Sequence, residues 1–178
     1  CYNTFYNLHN MALVLAGRFD VEKVLALCDK TLKPSAPVTV ERVFPEEPGA
    51  VVSPKIEERM AVALPLFQFG FKEDGSGTRT EKDLAAMEIL LEVLASEASP
   101  LFRELLDQGL VNESSFSYEY FEGTGYATVM FGGESQDPEA VAQAICQELQ
   151  RLHREGIPRE AFERAKRALY GENISALN

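Results

Sequence analysis

Between Thr80 and Phe131 the apolar residues change from a helical period to alternation, and no other feature constrains the fold as much. Thr80, with Asp83 three residues later, predicts a capped helix start. Leu84, Met87, Leu91 and Leu94 then recur at helical spacing, and Leu90 widens the stripe. The stretch from Ser96 to Pro100 breaks that helix. Ser99 is the expected cap and Pro100 the first residue of a short second helix. Leu101, Leu105 and Gln108 share one side of it, with Phe102 and Leu106 beside them, and Gly109 ends it. Phe116, Tyr118 and Tyr120 alternate next, and Tyr126 to Phe131 returns as a second strand. The intervening Glu122 to Gly125 is not the sequence of a tight two-residue hairpin, so a looser turn is expected.

The flanks extend this pattern. Met11 to Ala16 is an apolar run between Asn10 and Gly17, which predicts a buried strand. Asp20 caps a helix with Val21, Val24, Leu25, Cys28 and Leu32 on one face, ended by Pro34 and Pro37. Residues 38–55 hold Pro45, Pro48, Pro54 and Gly49 and form a surface connector. Met60, Val62 and Leu64 alternate in one phase and Phe67, Phe69 and Phe71 in the other, with Pro65 at the flip, so one bent strand is expected. Asp74 to Gly77 is a turn that lacks the ending of a phosphate-binding loop. Asp137 and Pro138 start a helix with Val141, Ala144, Ile145, Leu149 and Leu152 inward. Gly156 closes it, and Pro158 opens a last helix with Phe162, Ala165 and Leu169 inward. The predicted order β-α-β-α-α-β-β-α-α gives an α+β two-layer sandwich, with helices on one face of a mixed or antiparallel sheet.

A length of 178 residues fits one domain over 1–178, since the 37 residues before the connector are too few for their own core. The formal charge of −11 argues against nucleic acid or an anionic membrane as partner. Residues 151–167 go against that balance, with six basic and three acidic side chains, and suit a solvated helix face. No apolar run is long enough to span a bilayer. Cys1, Cys28 and Cys146 have no metal-ligand spacing, and their odd number suits a reducing cytoplasm. The two histidines, His9 and His153, sit in neither the H-E-x-x-H motif nor its inverse. No nucleophile elbow is present, and among the many carboxylates no pair stands out.

Three stretches resemble the pitrilysin (insulinase) family of zinc metallopeptidases. They are FYNLHNMALVLAGRFDVEKVLAL from Phe5, SPLFRELLDQGLV from Ser99, and GIPREAFERAKRALYG from Gly156. Together they cover nearly the whole chain in the family's order. They are most similar to the family's non-catalytic, C-terminal-type repeat domain. VFPEEP, PLFQFGFK and the closing ISALN are most similar to a bacterial branch associated with elongation factor P modification. The start at Cys1 rather than Met suggests an excised part of a longer chain, and the resemblance implies a repeat domain of a larger peptidase. It implies zinc on an upstream or partner catalytic domain and none here. It also implies a peptide or protein substrate held in a chamber. In active relatives this domain carries an Arg in the short helix and a Tyr just after Gly-Leu. Those positions fall here on Leu106 and on Asn112 or Glu113. Arg103, one turn earlier, and Tyr118 and Tyr120, on the next strand, are the candidate substrate-binding substitutes. The alternative implied is a degenerate, non-proteolytic assembly or processing partner of the same family.

Overall fold

A computed structural model describes residues 2–33, 35–44, 46–74 and 79–177. Cys1, Pro34, Pro45, residues 75–78 with the rest of the expected turn, and Asn178 lie outside the described residues. The chain divides into two compact units, Cys1–Pro45 and Glu46–Asn178, at the proline-bearing connector.

In the first unit, α1 (Tyr2–Phe5) is followed by a 3-10 turn (Leu8–Asn10) and by α2 (Val21–Thr31). Asp20 caps α2 as its sequence requires, its carboxylate accepting from the Lys23 amide at 3.2 Å. The expected strand at 11–16 does not form: the segment is irregular, and Leu13 and Val14 are exposed. An apolar run becomes a strand only when its backbone groups find a neighbouring ladder, and none is formed by the described residues of this unit. The face of α2 carrying Val21, Leu25 and Leu32 is likewise exposed, with Val24 and Cys28 half-buried.

The second unit holds the core. β1 (Leu66–Asp74), β2 (Ser117–Gly123) and β3 (Tyr126–Glu134) form an antiparallel sheet in the order β1-β3-β2. The bent strand expected from residue 56 is shortened. Regular pairing begins at Leu66 opposite Glu134, directly after Pro65, and Met60 and Val62 stay exposed. Proline has no amide to donate, but its carbonyl still accepts from the Ser135 amide at 3.0 Å, which anchors the strand's start. The hairpin is tighter than its sequence suggested. Gly123 pairs with Tyr126, leaving Thr124 and Gly125 as the loop, and Gly125 supplies the positive φ of 82°.

Strict alternation gives the sheet one apolar face. Phe67, Phe69, Tyr118, Tyr120, Val129 and Phe131 share it by register. The helices α3 (Glu81–Ala95), α4 (Pro100–Asp107) and α5 (Pro138–Glu155) pack with this face into one core, and α6 (Arg159–Ala176) packs against α3. This is the α+β two-layer arrangement, with an antiparallel sheet. The second half of α3 is wrapped on several sides, so Leu91, Val93, Leu94 and Ala95 are all buried rather than a single stripe. On α5, Val141, Ile145 and Leu152 are buried, with Ala144 and Leu149 packed at the margin. On α6 only Ala165 is buried; Phe162, expected inward, is exposed, and Ala161 takes the packed position.

Candidate functional site

The site expected from the sequence is built on α4 and the strand that follows. Ser99 is nearly fully buried, and its Oγ accepts from the Phe102 amide at 3.1 Å. That cap and Pro100 at the helix start orient α4 so that Leu101, Phe102 and Leu105 enter the core. The helix stops where the Leu110 amide donates to the Leu105 carbonyl at 2.9 Å, with Gly109 at φ 68°. Arg103 lies on the opposite, exposed side and makes no side-chain hydrogen bond or ion pair among the described residues. Leu106, the position expected for the family's Arg, is half-buried and packs against the core.

The loop that follows is held by side-chain bonds. Asn112 Oδ1 accepts from the Ser115 amide at 2.9 Å, and its Nδ2 donates to Glu134 at 3.0 Å. Ser115 Oγ in turn accepts from the Glu134 amide at 3.1 Å. Asn112, the first of the two positions expected for the family's Tyr, thus fastens the loop to the end of β3. Glu113, the second, is exposed.

Tyr118 and Tyr120 point from β2 toward the helix side, and both hydroxyls are engaged within the protein. The Tyr118 hydroxyl donates to Glu92 of α3 at 2.7 Å, and the Tyr120 hydroxyl to Glu73 of β1 at 3.5 Å. Burial raises the Tyr118 phenol above its ordinary pKa, and the bond to Glu92 raises it further. Burial and then the Glu73 charge push Tyr120 the same way. Arg79 completes this second group. Its guanidinium donates to Glu73 at 2.8 Å and lies 3.8 Å from Glu122. The bond to Glu73 is the main cause of its raised pKa. The two tyrosines therefore share a strand face, whereas Arg103 bonds to neither. Glu92, Glu73 and Arg79 were missed in the sequence because no local spacing links Glu92 to a tyrosine 26 residues away or Glu73 to one 47 away.

Zinc does not fit the described residues. Among the described residues, no group of three or more His, Cys, Asp or Glu side chains is placed to hold a metal. His9 Nε2 lies 2.7 Å from the Ser35 carbonyl oxygen, and His153 is exposed in the last turn of α5. No helix of the described residues is long and apolar enough to cross a membrane. Two shallow depressions, one along α6 at Arg159, Glu163 and Arg167 and one on α5 at Leu149 and His153, are each lined by a single helix and enclose nothing.

Comparison with known proteins agrees with this fold. The chain is 29% identical over 185 residues to the uncharacterized zinc protease YmfH of Bacillus subtilis (strain 168), a match covering 100% of this chain and 42% of that protein. A crystal structure from Alicyclobacillus acidocaldarius, described as an M16-like peptidase, superposes with a TM-score of 0.67 at 28% identity, covering 89% of this chain and 38% of that one. The chain thus spans less than half the length of either. The family model for the peptidase M16 inactive domain matches residues 1–169. This chain therefore belongs to the M16 peptidase family, as an inactive domain.

Proposed function

We propose that this chain is the substrate-holding, chamber-forming domain of a pitrilysin-like zinc peptidase, with the zinc motif outside these residues. The observation that carries the reading is the inactive-domain match over residues 1–169. That match runs across the division at residue 45, which supports treating 1–178 as one family domain within a longer chain. The partner is then the catalytic domain of the same or a homologous chain, which supplies zinc to polarise a scissile carbonyl and activate water. The substrate is a peptide or protein held extended, partly by backbone bonds at a sheet edge. β1 and β2 are the two edges of this sheet. Arg103, with its exposed guanidinium, is the substrate contact we favour. Tyr118 and Tyr120 would contribute by exchanging Glu92 and Glu73 for substrate groups. Cys28 and Cys146 are free thiols, which supports a cytoplasmic setting. VFPEEP and PLFQFGFK support the bacterial branch associated with elongation factor P modification.

A second reading, a non-proteolytic assembly or processing partner, is favoured by one specific observation. Leu106, on which the resemblance places the Arg of active relatives, is half-buried at the core margin. The zinc-loaded full-length protein, assayed on an unstructured peptide, separates the two. Chelator-sensitive turnover is expected, with Arg103→Ala raising KM more than it lowers kcat. A folded, zinc-loaded parent without turnover rejects the peptidase reading in favour of the second. The isolated chain is expected to keep no stoichiometric zinc after dialysis and to cleave nothing. One tightly held zinc per chain would overturn this and implicate His9 or His153.

A further inference from the structure

We draw no further inference here: the strongest candidate, the exposed apolar surface of the first unit formed by Leu13, Val14, Val21 and Leu25, is unpartnered, and nothing in the structure shows what covers it.

Discussion

The helices α2 and α5 start alike and end differently. Each is capped by an aspartate, Asp20 or Asp137, whose carboxylate accepts from an amide three residues on. Each carries an apolar face at helical spacing. Yet α5 buries Val141, Ile145 and Leu152, while α2 buries none of its residues. The caps and the period decide that a helix forms and where it begins. Whether its apolar face leaves water depends on having a sheet to lie on. α5 has β1 and α4 beside it, and the described residues of the first unit include no strand. The apolar face of α2 is therefore a capacity for burial, not a contribution to the core of its own unit.

The strongest way to break this comparison is to cut one large apolar side chain from each unit. Phe131 is 1% exposed at the centre of the sheet, so Phe131→Ala is expected to cost about 3–5 kcal/mol in urea unfolding. Leu25 is 54% exposed, and Leu25→Ala should change stability by no more than about 0.5 kcal/mol. If Leu25→Ala proves as costly as the core variant, the contrast between the units is wrong.

Leu106 sits between these extremes. Half-buried at the core margin, Leu106→Ala should cost about 1–2 kcal/mol, below the range for a fully buried leucine. Leu106→Arg should remain folded, because a long side chain at that margin can turn its guanidinium to water. An insoluble or molten Leu106→Arg protein would show that the position is true core and that the family's Arg has no equivalent place here.

Tyr118→Phe tests the polar link between α3 and β2. Losing the bond to Glu92 should cost about 1–2 kcal/mol, near the range for a hydrogen bond to a charged group at a partly exposed site. The pH dependence has a definite sign. The folded phenol is raised above its ordinary value, so the fold favours its neutral form. That stabilisation is complete below an unfolded pKa of about 10 and is lost as pH rises through the higher folded value. Stability should therefore decline above about pH 10, and less steeply in Tyr118→Phe. Tyr120 shifts in the same direction and leaves a residual slope. An unchanged alkaline limb in the variant would exclude Tyr118 as a contributor.

Smaller effects follow at the surface. Thr80 and Asp83 form a reciprocal cap on α3, so Thr80→Ala should lower stability by about 1 kcal/mol. Lys55 pairs with Glu139 and Glu57 at exposed positions. Lys55→Ala should leave the unfolding midpoint unchanged within error, since exposed pairs contribute little. A clear drop there would mean that the connector adds more to the second unit than its exposure suggests.

The sequence by itself determined features that depend on near neighbours. The four side-chain caps at Asp20, Thr80, Ser99 and Asp137 are all made as their spacing required. The helical stripes of α4 and α5, the glycine ends at 109 and 156, and the alternation that turns Phe67, Phe131 and Tyr118 to one face were legible for the same reason. Each rests on contacts within one or two turns or on the fixed period of a strand. Only the tertiary structure decided which apolar runs found partners. MALVLA and residues 56–64 have strand-like patterns but pair with nothing described, whereas β1 pairs along its whole length with β3. The tertiary structure also decided the fate of the candidate site: Tyr118 and Tyr120 are tied to Glu92 and Glu73, and Arg103 is left in water. The physical reason is common to both cases. A strand's backbone groups and a partly buried phenol are satisfied by groups distant in sequence, and that distance is closed only when the sheet and its helices assemble.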